Sequence, residues 1–226
     1  MMQLVHGGDW AGYRAQYGQD ALDLSANVSP LGLPEGVAKA ITAALATADR
    51  YPDPLCRTLR AALSRAEGVP QEHILCGNGA ADLIFRLALA AKPRTALVTA
   101  PTFAEYATAL ETAGCTVERH FLREENDFAV TKDLLNAVHP GTNMVFLCQP
   151  NNPTGQLAAL PLVEQILRRK AAQGVDVRLI YDDFGSLLGL PSDFVIRMEK
   201  AHIRCIPFNP VVPLVSLVMN HRDHRK

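Results

Sequence analysis

The spacing of apolar positions changes regularly along the chain between residues 35 and 181. Stretches with an apolar residue every three to four positions predict helices. The short apolar runs between those stretches predict strands. The predicted helices are 35–48, 55–66, 80–91, 104–113, 131–138 and 158–172, and the predicted strands are 95–99, 116–121, 143–147 and 177–181. Alternation of helices and strands predicts an α/β fold with a mainly parallel sheet.

The pattern changes after Asp183. Residues 184–226 are rich in proline and apolar residues, show no sustained helical or alternating period, and end in a charged tail. We therefore predict an N-terminal arm at 1–34, a large domain at 35–183, and a tail of unassigned structure at 184–226.

Composition limits the classes of partner. The 226 residues are 48% hydrophobic, and the formal net charge is -1 without a long run of like charge. Nucleic acids and anionic membranes attract clustered positive charge, so neither is expected as a partner. A chain of this length and composition can bury one sizeable core. Small molecules are the expected ligands.

The metal-ligating residue types form no recognisable set. The five cysteines are scattered and odd in number, and the seven histidines lack a neighbouring cluster of acids or cysteines. No spacing matches a zinc site or a disulfide framework, so we predict no metal and a reducing cytoplasm. Nothing resembles a signal peptide, and the apolar tract 211–219 is too short to span a bilayer.

Residues 150–155, Pro-Asn-Asn-Pro-Thr-Gly, connect a predicted strand to a predicted helix. Pro153 restricts Asn152 to extended backbone conformations, and Gly155 permits a sharp exit from the turn. Asn152 is thereby held where a ligand can meet it. The alternative is an ordinary turn, which these residue types make routinely.

Residues 76–82, Cys-Gly-Asn-Gly-Ala-Ala-Asp, open another predicted helix. Small residues at a helix N-terminus leave backbone N–H groups accessible, so Gly79, Ala80 and Ala81 could bind a phosphate without a basic side chain. A plain turn followed by a helix start is the alternative.

These motifs and their order resemble the aminotransferase class I and II family of fold-type I pyridoxal-phosphate enzymes, over residues 20–183. The resemblance implies a three-layer α/β/α large domain and pyridoxal 5'-phosphate as the cofactor. It implies that Asn152 hydrogen-bonds the phenolic oxygen of the cofactor and that residues 79–81 hold its phosphate. It also implies that Phe103, or as second choice Tyr106, stacks on the pyridine ring, and that Asp182 pairs with the pyridine nitrogen.

Two N-terminal motifs extend the resemblance. Residues 24–32 resemble a segment whose asparagine, here Asn27, faces the substrate, and residues 50–54 resemble a segment whose tyrosine, here Tyr51, reaches the cofactor phosphate of a partner subunit. The resemblance thus implies a homodimer. Turn chemistry beside proline is the alternative for both residues.

Within the family, the motifs are most similar to threonine-phosphate decarboxylases of cobalamin biosynthesis, and histidinol-phosphate aminotransferases are the alternative. Both imply a small phosphorylated amino acid or amine as substrate. The family's Schiff-base lysine follows the pyridine-binding aspartate in a Ser-x-x-Lys context, and the 226 residues contain no such segment. Gly185 also occupies a position where the family usually has a tyrosine.

The missing lysine sets a further expectation. Lys200 and Lys226 are the lysines after Asp182, and neither has the family's context. We therefore expect no catalytic residue here, and an inactive chain truncated or frame-shifted after about residue 183, because the lysine both holds the cofactor and moves the proton. A non-catalytic cofactor-binding or phosphate-binding fragment is the hypothesis from another class.

Overall fold

The computed structural model of the protein describes residues 8–24, 29, 31–175, 177–182 and 191–208. Its helices are α1 (Trp10–Tyr17), α2 (Glu35–Ala44), α3 (Arg57–Glu67), α4 (Gly79–Ala91), α5 (Glu105–Thr112), α6 (Leu134–Ala137), α7 (Leu160–Ala172) and α8 (Phe194–Lys200). Its strands are β1 (Thr95–Ala100), β2 (Thr116–Phe121), β3 (Met144–Phe146), β4 (Arg178–Asp182) and β5 (Arg204–Phe208).

All six helices and four strands predicted from apolar spacing are confirmed, with their ends shifted by a few residues. Three elements were not predicted, namely α1, α8 and β5. The eight residues of helix α1 carry only a weak apolar stripe, so the spacing of apolar positions gives no clear helical period there. Helix α8 has only seven residues, too few for a clear period, and Pro207 lies within β5, where proline argues against a strand.

Three strands form one parallel sheet in the order β2-β1-β3. Strand β1 is central, and Ala96 to Thr99 on it are all buried. Buried on both faces, β1 has the continuous apolar character expected of a parallel strand. Parallel strands need crossover connections, and α5 provides the one between β1 and β2.

Alternate residues of β1 point to opposite faces, and each face has its own core. Ala96 and Val98 pack with Ala88 of α4 and with Leu110 of α5. Leu97 on the other face packs in a cluster with residues of α6 and α7, such as Leu134 and Leu162. Helices therefore cover both faces, and the predicted three-layer α/β/α arrangement is confirmed.

Strands β4 and β5 form a second parallel ladder with register Arg178↔Arg204 to Asp182↔Phe208. The sequence led us to expect one sheet, but no ladder joins β3 to β4 within the described part of the chain. Strand β3 has only three residues and so presents few backbone groups for pairing. Helix α7 packs against both sheets, because Leu162 joins the core of the first and Leu167 that of the second.

The chain divides into two compact units, residues 1–59 and 60–226. The described residues of the first unit include none that is buried, and many of its large apolar side chains are exposed. Every buried core residue in the described part of the chain belongs to the second unit. The boundaries predicted at residues 34 and 183 stay a prediction.

Two further features concern the described residues alone. None of their helices combines the length and the apolar character that crossing a membrane requires. Nor do they contain a cluster of three or more His, Cys, Asp or Glu side chains suited to a metal ion.

Candidate functional site

The loops that leave β1 and β3 at their carboxyl ends lie at the same edge of the first sheet, because the strands are parallel neighbours. Residues 101–104 follow β1, and residues 147–159 connect β3 to α7. Ligands of open α/β sheets bind in the crevice beyond this edge. Two of the residues singled out in the sequence, Phe103 and Asn152, are in these loops.

Asn151 joins the two loops. Its side chain is almost fully buried, with 3% of its surface exposed. Its Oδ1 accepts a hydrogen bond from Thr102 Oγ1 at 2.8 Å, and its Nδ2 donates to Pro101 O at 3.0 Å and to Thr154 Oγ1 at 2.9 Å. Its backbone also closes the turn, since Gly155 N donates to Asn151 O and Asn151 N donates to Gln156 O. The apparent ligand-presenting turn is therefore anchored by its first asparagine.

Asn152 has the opposite surroundings. It is half-buried, and within the described ranges its side chain makes no hydrogen bond. Gly155 has φ +73, a left-handed conformation that glycine adopts without strain, as the sharp exit from the turn requires. The amide of Asn152 thus remains available for a ligand.

Phe103 belongs to a row of three aromatic rings. Its ring meets that of Tyr106 edge to face at 5.5 Å, and Tyr106 stacks on Phe146 at 4.6 Å with the planes 2° apart. Tyr106 and Phe146 pack on the core formed by α4, α5 and β1. Burial, and next the neighbouring Cys148 thiol, raise the pKa of Tyr106. Tyr106 therefore packs partly buried against the core and contacts the Phe103 ring edge to face.

The N-terminus of α4 presents free backbone donors. Asn78, the N-cap residue, makes no side-chain capping hydrogen bond, and Gly79 has φ +78 with nothing within 4 Å of where a Cβ would lie. Within the described chain, the N–H groups of Ala80 and Ala81 have no hydrogen-bond acceptor. Open space, small side chains and unpaired N–H groups suit an anion.

Asp82 braces the loop before this helix. Its Oδ2 accepts a hydrogen bond from Asn78 N at 2.8 Å, and its Oδ1 accepts one from Arg86 Nε at 2.9 Å. The bond from Asn78, with a smaller contribution from Arg86, holds the pKa of Asp82 below its ordinary value. A methyl group at Gly77 would lie within 3 Å of Asp82 and Leu83, so Gly77 is needed for the close approach.

Packing relates some of the predicted site residues to one another. The same core cluster contains Tyr106 and Ala88, so α4 and the aromatic row share one packing unit. Asp182 is the last residue of β4, where its backbone pairs with that of Phe208. Tyr51 is fully exposed and belongs to the first compact unit. Asn27 lies outside the described residues.

Among the described residues, no lysine belongs to the loops that follow β1 and β3. Lys39 pairs with Glu35 on the surface of α2, Lys92 ends α4 in a left-handed conformation, and Lys170 donates to His139 O. Lys132 precedes α6 and Lys200 ends α8. Lys226 lies outside the described residues.

Sequence reasoning missed Asn151 and Asp82. The role of each depends on contacts with another segment or with a backbone amide. An asparagine or an aspartate at such a position in the sequence does not indicate these contacts. The one signal in the sequence was the pair of adjacent asparagines. If Asn152 contacts a ligand, the neighbouring Asn151 must have another role. The described residues bring the Phe103 ring and the Asn152 amide to one edge of the sheet and leave N–H groups unpaired at the start of α4.

Comparison with known families identifies one match over most of the chain. The family described as aminotransferase class I and II matches residues 19–184.

Among curated proteins, threonine-phosphate decarboxylase of Salmonella typhimurium is 42% identical over 162 residues, which are 72% of this chain and 44% of that protein. Histidinol-phosphate aminotransferase of Desulfitobacterium hafniense (strain DSM 10664 / DCB-2) is 35% identical over 184 residues, 78% of this chain and 50% of that protein. The chain therefore spans about half the length of these curated relatives.

A solved structure shows the same relation. The crystal structure of L-threonine-O-3-phosphate decarboxylase from Porphyromonas gingivalis superimposes with a TM-score of 0.55 at 25% identity. The similarity covers 70% of this chain and 46% of that one.

Proposed function

This chain belongs to the aminotransferase class I and II family, whose cofactor is pyridoxal phosphate, and from that premise we propose that it forms the cofactor-binding part of an enzyme for a phosphorylated amino acid. The observation that carries the proposal is the junction at Asn151. It ties together the two loops from which Phe103 and Asn152 extend. Both residues are thereby fixed at one edge of the parallel sheet.

The N-terminus of α4 would hold the cofactor phosphate. Unpaired N–H groups of Ala80 and Ala81, with the positive end of the helix dipole, stabilise an anion there. Gly79 leaves the approach open, because no side chain occupies that position. No basic side chain is required for this contact.

Three residues would hold the ring. Phe103 offers an aromatic face supported by Tyr106, Asn152 donates its amide to the phenolic oxygen, and Asp182 pairs with the ring nitrogen. When bound, pyridoxal phosphate supplies an electron sink for the reacting substrate carbon. The protein's share is to fix the plane of the ring and to hold its nitrogen protonated.

The remaining predicted contacts involve the first unit. We assign Asn27 to the substrate and Tyr51 to the cofactor phosphate of a partner subunit, so the working form is a homodimer. Full exposure of Tyr51 in the single chain supports this assignment. The scattered cysteines support a cytoplasmic location.

The proposed reaction is that of a threonine-phosphate decarboxylase. The 42% identity to that enzyme, against 35% to a histidinol-phosphate aminotransferase, favours it. Amino-transfer on histidinol phosphate is the second candidate, since both enzymes' named substrates carry a phosphate. Orientation of the substrate over the ring decides between loss of carbon dioxide and loss of a proton.

We further propose that this chain alone does not turn over substrate. None of its lysines has the family's sequence context, and those in the described ranges lie outside the two site loops. The chain would then bind the cofactor reversibly through Asn152, Phe103 and the start of α4. The alternative outside the enzyme class is a fragment that binds phosphate alone and makes no contact with the cofactor ring.

The test combines a titration with covalent trapping. Purified chain is titrated with pyridoxal phosphate, followed by absorbance and by quenching of protein fluorescence, then reduced with borohydride and mapped by mass. We expect saturable binding, no single lysine labelled preferentially, and no decarboxylation of threonine phosphate. Labelling at one lysine together with turnover would contradict the proposed inactivity.

A matched pair of variants separates ring contacts from phosphate contacts. Asn152→Ala should weaken binding of pyridoxal phosphate about tenfold, the loss of one hydrogen bond to a charged oxygen, and leave binding of inorganic phosphate unchanged. Asn143→Ala, at the opposite end of β3, is the control and should change neither. If Asn152→Ala bound pyridoxal phosphate as tightly as wild type does, and inorganic phosphate likewise, the phosphate-binding fragment would be favoured.

A further inference from the structure

The first asparagine of the turn hydrogen-bonds to the other site loop, whereas the side chain of the second makes no hydrogen bond to the described residues. Residues 101–102 and residue 151 are about fifty positions apart in the chain, yet two side-chain hydrogen bonds connect them. A third bond, to Thr154 Oγ1, fixes the far side of the turn. Every polar atom of the Asn151 side chain is therefore used inside the protein.

The polarity of these contacts selects asparagine. Pro101 O can only accept a hydrogen bond, so the group facing it must be the amide nitrogen. The oxygen on the other side accepts from the Thr102 hydroxyl. An aspartate of the same shape would put an acceptor against the Pro101 carbonyl, and burial would make that repulsion costly. Asn151→Asp therefore changes the polarity of the junction with almost no change in volume.

We propose that Asn151 is a positioning residue that sets Phe103 and Asn152 at their working separation. The effect on cofactor binding rests on the proposed function, whereas the hydrogen bonds of Asn151 to the two loops do not. Thr102 lies next to Phe103, and Asn151 lies next to Asn152, so a shift of the junction moves both ligand contacts together. Neither contact then acts independently of Asn151.

The chain offers two matched controls. Asn143 links the amino ends of the same strands, since its Oδ1 accepts from Arg94 N at 3.0 Å and from Thr95 N at 3.2 Å. Asn143→Ala therefore breaks an asparagine junction at the edge away from the site. Thr99→Val removes a buried hydroxyl that has no hydrogen-bond partner among the described residues, and so tests the effect of an isosteric change in β1 alone.

The first readout is amide hydrogen exchange without any ligand. In Asn151→Asp, exchange should accelerate about tenfold or more in peptides covering both 102–106 and 150–156, because about 1.4 kcal/mol of local stability is a factor of ten. Thr154→Val should affect 150–156 alone. Asn143→Ala and Thr99→Val should leave both segments unchanged. Unchanged exchange at 102–106 in Asn151→Asp would overturn the proposal.

The second readout is coupling in cofactor binding. If Asn151 positions both contacts, Phe103→Leu and Asn152→Ala should each weaken pyridoxal-phosphate binding in the wild-type background and have less than about twofold effect in Asn151→Asp. Full additivity would contradict the positioning role. Should Asn151→Asp fail to fold, Thr102→Val removes one bond of the junction and is tested in the same cycle.

The two readouts separate this inference from the proposed function. If wild-type protein binds no pyridoxal phosphate but exchange in both loops still depends on Asn151, the junction stands and the cofactor assignment fails. If the cofactor binds and exchange at 102–106 is insensitive to Asn151, the cofactor assignment stands and the positioning role fails.

Discussion

Asn151 and Asn152 are identical neighbours that differ in burial and in hydrogen bonding. Asn151 is buried and fully hydrogen-bonded, whereas Asn152 is half-buried and without a hydrogen bond among the described residues. A buried amide must be paired to offset the loss of water, and Thr102 and Pro101 provide the partners. The amide that remains unpaired is the one suited to a ligand.

Gly79→Ala tests the proposed phosphate site at this scale. Its φ of +78 is unfavourable for a side chain even though the surrounding space is open. We expect a loss of about 1 to 2 kcal/mol in the free energy of unfolding and weaker binding of pyridoxal phosphate. Urea denaturation and fluorescence titration measure the two effects. Gly141→Ala, at a glycine without positive φ or close neighbours, is the control and should be near neutral.

Asp82 predicts a pH dependence. Its pKa is lowered from the ordinary 3.8, chiefly by the hydrogen bond from Asn78 N, so the charged form is favoured by folding. Its contribution to stability is therefore present above pH 3.8 and is lost as the pH falls through the lower pKa of the folded state.

Urea denaturation of Asp82→Asn between pH 2 and pH 7 checks this expectation. The difference from wild type should be constant near neutral pH and should shrink on acidification below about pH 4. Asp49→Asn replaces an exposed carboxylate and serves as the control. A difference for Asp82→Asn that grows on acidification would refute the assigned sign.

At the scale of elements, α7 is the helix that serves both sheets. Leu162 enters the core of the first sheet, and Leu167 packs with Phe194 and Met198 near the second. Glu164, with 13% of its side chain exposed, accepts from Arg197 at 3.1 Å and lies 3.5 Å from Arg168. One carboxylate thus connects α7 to α8, an element that its sequence did not predict.

Glu164→Gln should loosen the attachment of α8. We expect a loss of about 1 kcal/mol, since the charged partner Arg197 is more than one third exposed and solvent screens the pair. Arg168→Gln removes a more exposed pair on the same carboxylate and should cost less than about 0.5 kcal/mol. Urea denaturation measures the free energy of unfolding of the two variants. An equal loss in both would show that the pair with Arg197 contributes no more than the pair with Arg168.

At the scale of the whole molecule, the two units differ in how they bury apolar surface. The second contains the buried cores, whereas Leu22, Leu24 and Leu31 of the first expose between 86% and 93% of their surface. Exposed apolar side chains in such number favour association with another surface. The proposed homodimer would provide one.

Sedimentation velocity over a range of concentrations tests this expectation. Wild type should associate, and the triple change Leu22→Gln, Leu24→Gln and Leu31→Gln should shift the equilibrium about tenfold or more toward monomer, because each leucine contributes apolar area. Leu157→Gln changes an exposed leucine of the second unit and serves as the control. A monomer at every wild-type concentration would contradict the proposed dimer.

Much of the fold was determined by the sequence alone. Apolar spacing is a local property, so the helix at Gly79–Ala91 and the strand at Thr116–Phe121 were predicted almost to the residue. The ordered motifs were sufficient to indicate the family, because proline and glycine turns and small residues at a helix start act through their own backbone. The roles of individual site residues stay predictions.

Tertiary structure decided the rest. Pairing with β4 and packing against Leu167 bring in β5 and α8, whose own periods are too short to detect. The distinction between Asn151 and Asn152 depends on a carbonyl and a hydroxyl about fifty residues away in the chain. The hydrogen bond at Asp82 depends on the direction of the Asn78 N–H group. Burial and hydrogen-bond partners belong to the folded arrangement, so no local pattern could show which asparagine holds the loops and which remains free for a ligand.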